Sequence, residues 1–219
     1  MTNIGVLVSG GGTNLQVIID RIAEGSLNKC KIVAVIASRP QAYALERAKA
    51  ARIPALCVER RRFSDPADFD AALLNSLTGY GADLVVTAGF LTIFGQSVVD
   101  AFPNRIINVH PALIPSFCGK GYYGLTPHKK VLEYGVKLTG ATTHFICLEA
   151  DSGPIIMQKA VAVEDGDTPE SLQRRVMTEA EQIILPESIR LFSENRLAVE
   201  GRRVRILGGY RLEGGGDSI

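Results

Sequence analysis

The chain has 219 residues, with 24 Lys and Arg against 23 Asp and Glu, which gives a formal net charge of +1. Its 46% hydrophobic and 21% charged residues are typical of globular proteins and exclude wholesale disorder. A chain of this length can bury most of its unfolded surface. The balanced charge disfavours a nucleic-acid binder, which usually carries a basic excess, so we expect no nucleic-acid partner.

The first half of the chain alternates apolar runs with helical periodicity. Predicted strands cover 4–9, 31–38, 55–58, 84–88 and 105–109. Predicted helices cover 13–24, with Thr13 as its N-cap, then 43–51, 65–77 and 94–101. Strands that alternate with helices in this way indicate right-handed βαβ units and a mostly parallel, doubly wound (Rossmann-like) sheet.

The pattern changes after His110. Pro111–Pro127 is a long segment rich in Pro, Gly and aromatic residues, and long loops in compact domains are usually functional. The remaining predicted elements are a short helix, two strands, a long helix and a closing hairpin, at 129–134, 139–148, 155–163, 167–192 and 197–207. We expect a single α/β domain over 1–207, whose second half adds strands to the same sheet, and a flexible tail over 208–219.

The cysteines and histidines give no sign of a metal site. Cys30, Cys57, Cys118 and Cys147 form no C-x-x-C pair, and no two histidines stand four residues apart. We interpret the cysteines as free thiols of a cytoplasmic protein. No signal peptide is recognisable, and no apolar run approaches the roughly 20 residues of a membrane span, so we expect no membrane partner.

A glycine loop separates the first predicted strand from the first predicted helix. Small residues in Ser9-Gly-Gly-Gly-Thr-Asn14 let backbone N–H groups approach an anion, and the helix dipole favours negative charge. The third glycine of G-x-G-x-x-G is replaced by Leu15, and the second strand ends in Ser38-Arg39 without an acidic residue. A single phosphate group therefore fits better than a dinucleotide. NADP at Arg39, or a tight turn without a ligand, remain alternatives.

Polar residues follow the strand that ends near Val109. Asn108 and His110 lie two apart, so their side chains share one side of an extended chain, where they could bind an oxyanion and transfer a proton. The alternative is a structural histidine satisfied by backbone groups, as for His128 and His144. Asp151 stands in a turn between two predicted strands. It is either a turn former or a carboxylate that raises the pKa of His110.

Together, and in this order, these segments resemble the folate-dependent formyltransferases. Asn108-Val-His-Pro-Ala-Leu-Ile-Pro115 followed by Asp151-Ser-Gly-Pro154 is the signature of that superfamily, and the match reaches about Pro186. The stretch Ser9–Gln16 resembles the branch whose substrate carries one 5′-phosphate. The resemblance implies the formyltransferase fold and formyl transfer from 10-formyltetrahydrofolate, a cosubstrate, to the amine of 5-phosphoribosylglycinamide in purine biosynthesis, without a metal. The resemblance does not decide whether the protein is a monomer or a homodimer.

The resemblance also implies roles for individual residues. Asn108 and protonated His110 would stabilise the oxyanion of a tetrahedral intermediate, and Asp151 would keep His110 charged and help to transfer the proton. The residues that match the phosphate cradle are Gly12, Thr13 and Asn14.

The family places an acid on the late helix near the substrate amine. Counting back from Pro186 gives Glu181, whereas counting forward from Val176 gives Ala180. We infer a one-residue insertion between Val176 and Glu181, with Glu179 as the alternative acid.

By the same resemblance, the pterin is expected between two segments. The first consists of Leu91, Thr92, Ile93 and Phe94, and the second of Cys147, Leu148, Glu149, Ala150 and Asp151. Asn108 is expected to contact the folate as well. Some family members carry Arg where Thr92 and Pro66 stand here, so the folate glutamate tail is left to Arg60–Arg62, unless that run is only solvated surface. Two other functions remain open. The same cluster could hydrolyse formyltetrahydrofolate with water as nucleophile, or the glycine loop could belong to a non-catalytic NADP- or phosphate-binding module.

Overall fold

A computed structural model describes residues 1–93 and 95–209 of the chain. Within these residues, the strands are β1 Thr2–Val8, β2 Cys30–Ala37, β3 Ala55–Cys57, β4 Leu84–Thr87, β5 Ile106–His110, β6 Leu138–Phe145, β7 Ile155–Ala162, β8 Leu197–Glu200 and β9 Arg203–Ile206. The helices are α1 Thr13–Ala23, α2 Ala44–Ala50, α3 Pro66–Gly79, α4 Gln96–Ala101, α5 Thr126–Tyr134, α6 Pro169–Val176 and α7 Gln182–Ser193. A 3₁₀ turn covers Arg60–Arg62, and a π-helical turn over Met177–Glu181 joins α6 to α7.

The described strands form one sheet in the order β3-β2-β1-β4-β5-β6-β7-β9-β8. The first five strands in this order are parallel, β6 is antiparallel to both β5 and β7, and β9 runs parallel to β7. The hairpin β8–β9 closes the edge. The predicted fold class, a mostly parallel doubly wound sheet with added C-terminal strands, is confirmed.

Helices cover both faces of the sheet because successive strand residues point to opposite faces. In β1, Ile4, Val6 and Val8 pack into the core under α1, α2, α5, α6 and α7, and Leu7 packs into the core under α3 and α4. At Gly5 a Cβ would lie 2.6 Å from Leu77 Cδ2, so glycine lets α3 approach the sheet closely. The two cores fix the sheet between its helical layers.

The predicted elements recur with boundaries shifted by a few residues, but the predicted N-cap of α1 is wrong. Thr13 is the first helical residue, and its hydroxyl lies 3.2 Å from Met177 Sδ instead of capping the helix. Gly12 takes the capping position with a φ of +70°, a turn that glycine adopts without strain. Phe94, where a helix was expected to begin, and residues 210–219 of the expected tail lie outside the described residues.

The order of the strands creates a crevice at one edge of the sheet. From β1 the chain proceeds to β2 and β3 on one side and returns to β4 on the other. Ligands of open α/β sheets bind at such a switch point, outside the carboxyl ends of the strands. The loops after β1, β4 and β5 meet there. In the described part of the chain, no helix is long and apolar enough to cross a membrane.

Candidate active site

A cluster of polar side chains forms where β5 and β6 pair. Asn108 and His110 lie on β5, and the antiparallel register places His144 of β6 directly opposite Asn108. Asp151 follows β6 in a turn and has a φ of +54°, a left-handed conformation that Asp tolerates better than most residues. We call Asn108, His110, His144 and Asp151 the polar cluster.

Hydrogen bonds fix the orientation of the Asn108 amide. The Thr87 hydroxyl donates to Asn108 Oδ1 at 2.7 Å, so the NH₂ group points to the other side, 3.0 Å from His144 Nε2. His144 Nδ1 donates to the carbonyl of Phe145 at 3.0 Å, which leaves its Nε2 to accept from the Asn108 NH₂ group. One N–H of Asn108 is satisfied by His144, and the second has no protein partner among the described residues.

The ring of His110 is held by a backbone carbonyl and a carboxylate. Its Nε2 donates to the carbonyl of Phe117 at 2.9 Å, and its Nδ1 lies 3.5 Å from Asp151 Oδ2. Burial lowers the pKa of His110, and His144 adds to this, while Asp151 and the Phe117 carbonyl act in the opposite direction without prevailing. Asp151 raises the pKa of His110 as expected, but desolvation of the ring outweighs this attraction, so the expectation that Asp151 keeps the free ring charged is wrong. The ring is neutral at neutral pH, with its proton on Nε2.

Asp151 is ionised in this environment. Burial raises the pKa of its carboxyl, but the neighbouring His144 and His110 rings and the N–H of Gly119 together hold that pKa below its usual range. The Gly119 N–H donates to Asp151 Oδ2 at 2.8 Å, and His144 Nε2 lies 3.6 Å from Oδ1. The carboxylate is therefore fixed between two imidazole rings and one backbone donor.

The third histidine, His128 of α5, has a different environment. It is fully buried, and neither ring nitrogen has a hydrogen-bond partner among the described residues. Burial, with the nearby His110, lowers its pKa to about 4. Backbone groups therefore do not satisfy the ring of His128, whereas His144 does use a backbone carbonyl.

The glycine loop (residues 10–14) and the late helix meet across the same crevice. Asn14 Nδ2 donates to Glu181 Oε2 at 2.7 Å, and both side chains are buried. Asn14 Oδ1 has no partner among the described residues. Burial raises the pKa of Glu181 to about 6, against the lowering effect of the Asn14 hydrogen bond. An amide oxygen and a carboxylate oxygen are thus left as acceptors beside the loop.

A π-helical turn sets the position of Glu181. One extra residue in an α-helix produces such a turn, and this one coincides with the insertion expected between Val176 and Glu181. Glu179 and Thr178 are exposed on its outer side, while Glu181 is buried against Asn14. The turn therefore directs Glu181, and not Glu179, toward the glycine loop.

Two adjoining cavities meet at Asn108 and Asp151. The larger, about 410 Å³, is lined by the glycine loop, His110, the segment Gly119–Gly124 and Glu181, together with Leu91 and Ile93. The smaller, about 130 Å³, is lined by Thr92, Ile93, Thr87, His144 and Cys147–Asp151. Every expected site residue within the described ranges lines one of the two, and Phe94 lies outside those ranges.

Several residues of the site were missed by sequence reasoning. Thr87 and His144 orient Asn108, while the Phe117 carbonyl and the Gly119 N–H hold His110 and Asp151. A histidine within a buried strand was the available signal for His144, but its partner depends on a register that the long connection from β5 to β6 hides. The backbone groups leave no signal in residue type.

Outside the cleft, the arginine run is engaged locally. Arg61 and Arg62 pair with the buried Glu59 at 2.7 Å and 2.6 Å, and Arg60 donates to the Phe63 carbonyl at 2.6 Å. All four cysteines are free thiols. Within residues 1–93 and 95–209, no group of three or more His, Cys, Asp and Glu side chains is arranged to hold a metal ion.

Comparison with known proteins agrees with this geometry. A family model described as formyl transferase matches residues 2–189. The phosphoribosylglycinamide formyltransferase of Escherichia coli (strain K12) is 36% identical over 210 residues, covering 96% of this chain and 95% of that protein. The crystal structure of glycinamide ribonucleotide transformylase 1 from Symbiobacterium toebii matches with a TM-score of 0.89 and 48% identity, over 94% of each chain.

Some relatives are longer than this chain, and one is named for a different reaction. The chain spans 66% of the chloroplastic phosphoribosylglycinamide formyltransferase of Arabidopsis thaliana, at 38% identity, and 19% of the bovine trifunctional purine biosynthetic protein adenosine-3. A formyltetrahydrofolate deformylase from Pseudomonas syringae pv. tomato shares the fold with a TM-score of 0.84, but at 26% identity and over 65% of its length. The chain belongs to the formyl transferase family, on the branch of the phosphoribosylglycinamide formyltransferases.

Proposed function

We propose that the protein transfers the formyl group of 10-formyltetrahydrofolate to the amine of 5-phosphoribosylglycinamide, a step of purine biosynthesis. The observation that carries this proposal is the position of Asn108 and Asp151 at the junction of two cavities, with His110 lining the larger one. One cavity has an anion-binding loop, and the other has an apolar rim. A transferase that moves a formyl group from a folate to a phosphorylated amine needs both features at one reactive centre.

The ribonucleotide occupies the larger cavity. Its phosphate accepts hydrogen bonds from the N–H groups of Gly12, Thr13 and Asn14, where the α1 dipole adds favourable charge. Glu181 and the free Asn14 Oδ1 accept hydrogen bonds from donors further along the substrate, the glycinamide amine among them. The buried carboxylate and amide are thus satisfied when substrate is bound.

The formyl donor binds along the smaller cavity. Ile93 and Leu148 are large apolar side chains left 73% and 58% exposed at its rim, and Leu91, 43% exposed, lines the adjoining larger cavity. A pterin ring covers such surface favourably. The backbone of Cys147–Asp151 supplies hydrogen-bonding groups for the edge of the ring. Thr92 lines the same cavity. The formyl carbon then lies beside Asn108.

The chemistry is a direct attack without a covalent enzyme intermediate. The amine nitrogen bonds to the formyl carbon, and the carbonyl electron pair moves to the oxygen. The free N–H of Asn108 stabilises this oxyanion, and preorganised donors of this kind are typically worth about 2.7–4 kcal/mol each. His110 is only 4% exposed, so its charge acts on the oxyanion with little screening by water.

His110 transfers a proton from the attacking amine to the leaving folate nitrogen. Nε2 is occupied by the Phe117 carbonyl, so Nδ1 is the nitrogen that takes the proton from the attacking amine. The charged ring then stabilises the oxyanion, with Asp151 next to it as the counter-charge. When the bond from carbon to the folate N10 breaks, the proton passes from His110 to that nitrogen. The neutral ring of the unliganded site is thereby regenerated.

Hydrolysis of the formylfolate is the competing reaction, since the same cluster would act on water. The glycine loop and the buried Asn14–Glu181 pair favour the transferase, because a hydrolase needs no binding site for a phosphorylated amine. An NADP-binding module is disfavoured because it needs no polar cluster at the junction of the cavities. Cytoplasmic location and the oligomeric state, monomer or homodimer, stay predictions.

One assay separates these functions. The full chain is mixed with 10-formyltetrahydrofolate, and deformylation is followed with and without 5-phosphoribosylglycinamide. We expect turnover only with the ribonucleotide, together with stoichiometric N-formyl product. Turnover independent of the ribonucleotide would indicate the hydrolase, and no turnover under either condition would indicate a binding module.

A further inference from the structure

Helix α2 fixes the orientation of the peptide groups in the glycine loop. The N–H of Ala44 donates to the Gly10 carbonyl at 3.1 Å, and Arg47 Nε donates to the Gly11 carbonyl at 2.8 Å. In a planar trans peptide the C=O and the following N–H point in opposite directions. The N–H groups of Gly11 and Gly12 therefore point away from α2, toward the cavity that the loop lines.

The next peptide group continues this arrangement. The Gly12 carbonyl accepts the first hydrogen bond of α1, from the Gln16 N–H at 2.9 Å, so the Thr13 N–H points out of the helix end. The N–H groups of Gly11, Gly12 and Thr13 have no hydrogen-bond partner among the described residues, which adds Gly11 to the expected cradle of Gly12, Thr13 and Asn14. Successive N–H groups that converge in this way form an anion-binding concavity.

Arg47 is itself held rigidly on the far side of the loop. A terminal guanidinium nitrogen donates to Gln16 Oε1 at 3.0 Å, and the guanidinium carbon lies 5.1 Å from the centre of the Tyr43 ring. Among the described residues Arg47 forms no ion pair with a carboxylate, so its charge is not neutralised locally. At Gly12 a Cβ would lie 2.7 Å from Ala44 Cβ, which shows how closely the loop packs on α2.

We propose that Arg47 is a positioning residue for phosphate binding. It holds the Gly11 carbonyl away from the cavity so that the Gly12 N–H faces the phosphate, and it places an unpaired positive charge behind the loop. Arg47 does not line the cavity, so it acts through the backbone and through its field. This inference rests on the proposed function for the identity of the phosphorylated substrate, but not for the phosphate itself.

The first experiment compares 5-phosphoribosylglycinamide with its dephosphorylated riboside in formyl transfer. For Arg47→Met we expect kcat/KM with the phosphorylated substrate to fall at least tenfold, through KM, while the riboside changes less than twofold. Arg47→Lys keeps the charge but loses the planar fork, so its loss should lie in between. Lys49→Met removes an exposed charge from the same helix and is the matched control, expected to behave like wild type.

A general structural defect would lower kcat/KM for both substrates equally, and that result would overturn the proposal, as would an unchanged KM for the phosphorylated substrate. A second measurement does not depend on the reaction. Inorganic phosphate is titrated with each variant and followed by ³¹P NMR, and Arg47→Met should weaken its binding at least tenfold relative to Lys49→Met. Equal phosphate affinity in the two variants would reject the role of Arg47 even if the protein proved to catalyse another reaction.

Discussion

The polar cluster and the glycine loop lie in one cleft but are built in opposite ways. The cluster consists of side chains, and its properties depend on burial and charge, as at His110, whose pKa is lowered although Asp151 lies beside it. The loop offers backbone N–H groups, and their direction is set by a helix that does not touch the ligand. The difference assigns the chemical step to the cluster and phosphate affinity to the loop.

Among the single replacements, that of His110 should lower kcat the most. For His110→Ala we expect kcat to fall by about 10³-fold, because a positioned proton-transfer group contributes roughly 10²–10⁴-fold. KM for the ribonucleotide should stay within threefold of wild type. Steady-state kinetics with both substrates varied measure this. A kcat within tenfold of wild type would remove His110 from the chemistry.

Replacing Asp151 should have the next largest effect. Asp151→Asn removes the charge that raises the pKa of His110, so that pKa should fall further below its ordinary value, and kcat should fall by about 10²-fold. The alkaline side of the activity profile should change little, since the free ring is already neutral there. NMR titration of His110 measures the shift directly. An unmoved titration would show that Asp151 does not set the charge of the ring.

Replacing Gly12 tests the loop. Gly12→Ala places a Cβ 2.7 Å from Ala44 Cβ at a φ of +70°, so the loop must shift and its N–H groups lose their direction. We expect KM for the ribonucleotide to rise about tenfold, the loss of roughly one net hydrogen bond, with kcat within threefold.

Gly25→Ala is the matched control, because Gly25 also has a positive φ but open space around it. It should destabilise the protein by about 1 kcal/mol without changing KM. Equal KM values in the two variants would contradict the assignment of the loop.

Replacing Glu181 should have the smallest effect and a distinctive pH dependence. The folded carboxyl binds a proton near pH 6, so it is an acceptor above that pH and loses this capacity below it. In wild type, affinity for the ribonucleotide should fall as pH drops through about 6. In Glu181→Gln affinity should be about fivefold lower than in wild type at pH 8, the cost of one weakened hydrogen bond. The two affinities should converge below pH 6, because the substrate phosphate titrates equally with both proteins. Calorimetric titration across this range measures both, and a fivefold difference that persists at pH 5 would assign the pH dependence to another group.

The difference between a site of side chains and a site of backbone groups also explains which features could be predicted from the sequence. Asn108 and His110 were predicted because a two-residue spacing in a strand places two side chains on one side. Glu181 was predicted because the family resemblance places an acid at a fixed distance before Pro186. His144 was not predicted as a site residue. Its position opposite Asn108 depends on the register between β5 and β6, and the long segment 111–137 separates these strands in the sequence. The direction of the His110 pKa shift could not be predicted either, since it depends on how deeply the ring is buried.

The glycine loop shows the limit most clearly. Its three glycines predict a close approach of backbone to an anion, but the direction of the peptide groups depends on Ala44 and Arg47, more than thirty positions away in the chain. Residue type alone does not specify such a contact. Sequence motifs therefore locate side-chain chemistry better than they locate the supports of a backbone site.

The most direct test of this division is kcat/KM for the ribonucleotide in the double variant His110→Ala/Gly12→Ala. Independent sites have additive free-energy effects, so the two single losses should multiply, to about 10⁴-fold, with the fall in kcat from His110 and the rise in KM from Gly12 both retained. A double variant no worse than His110→Ala alone would show that loop and cluster act as one unit, and would contradict the account.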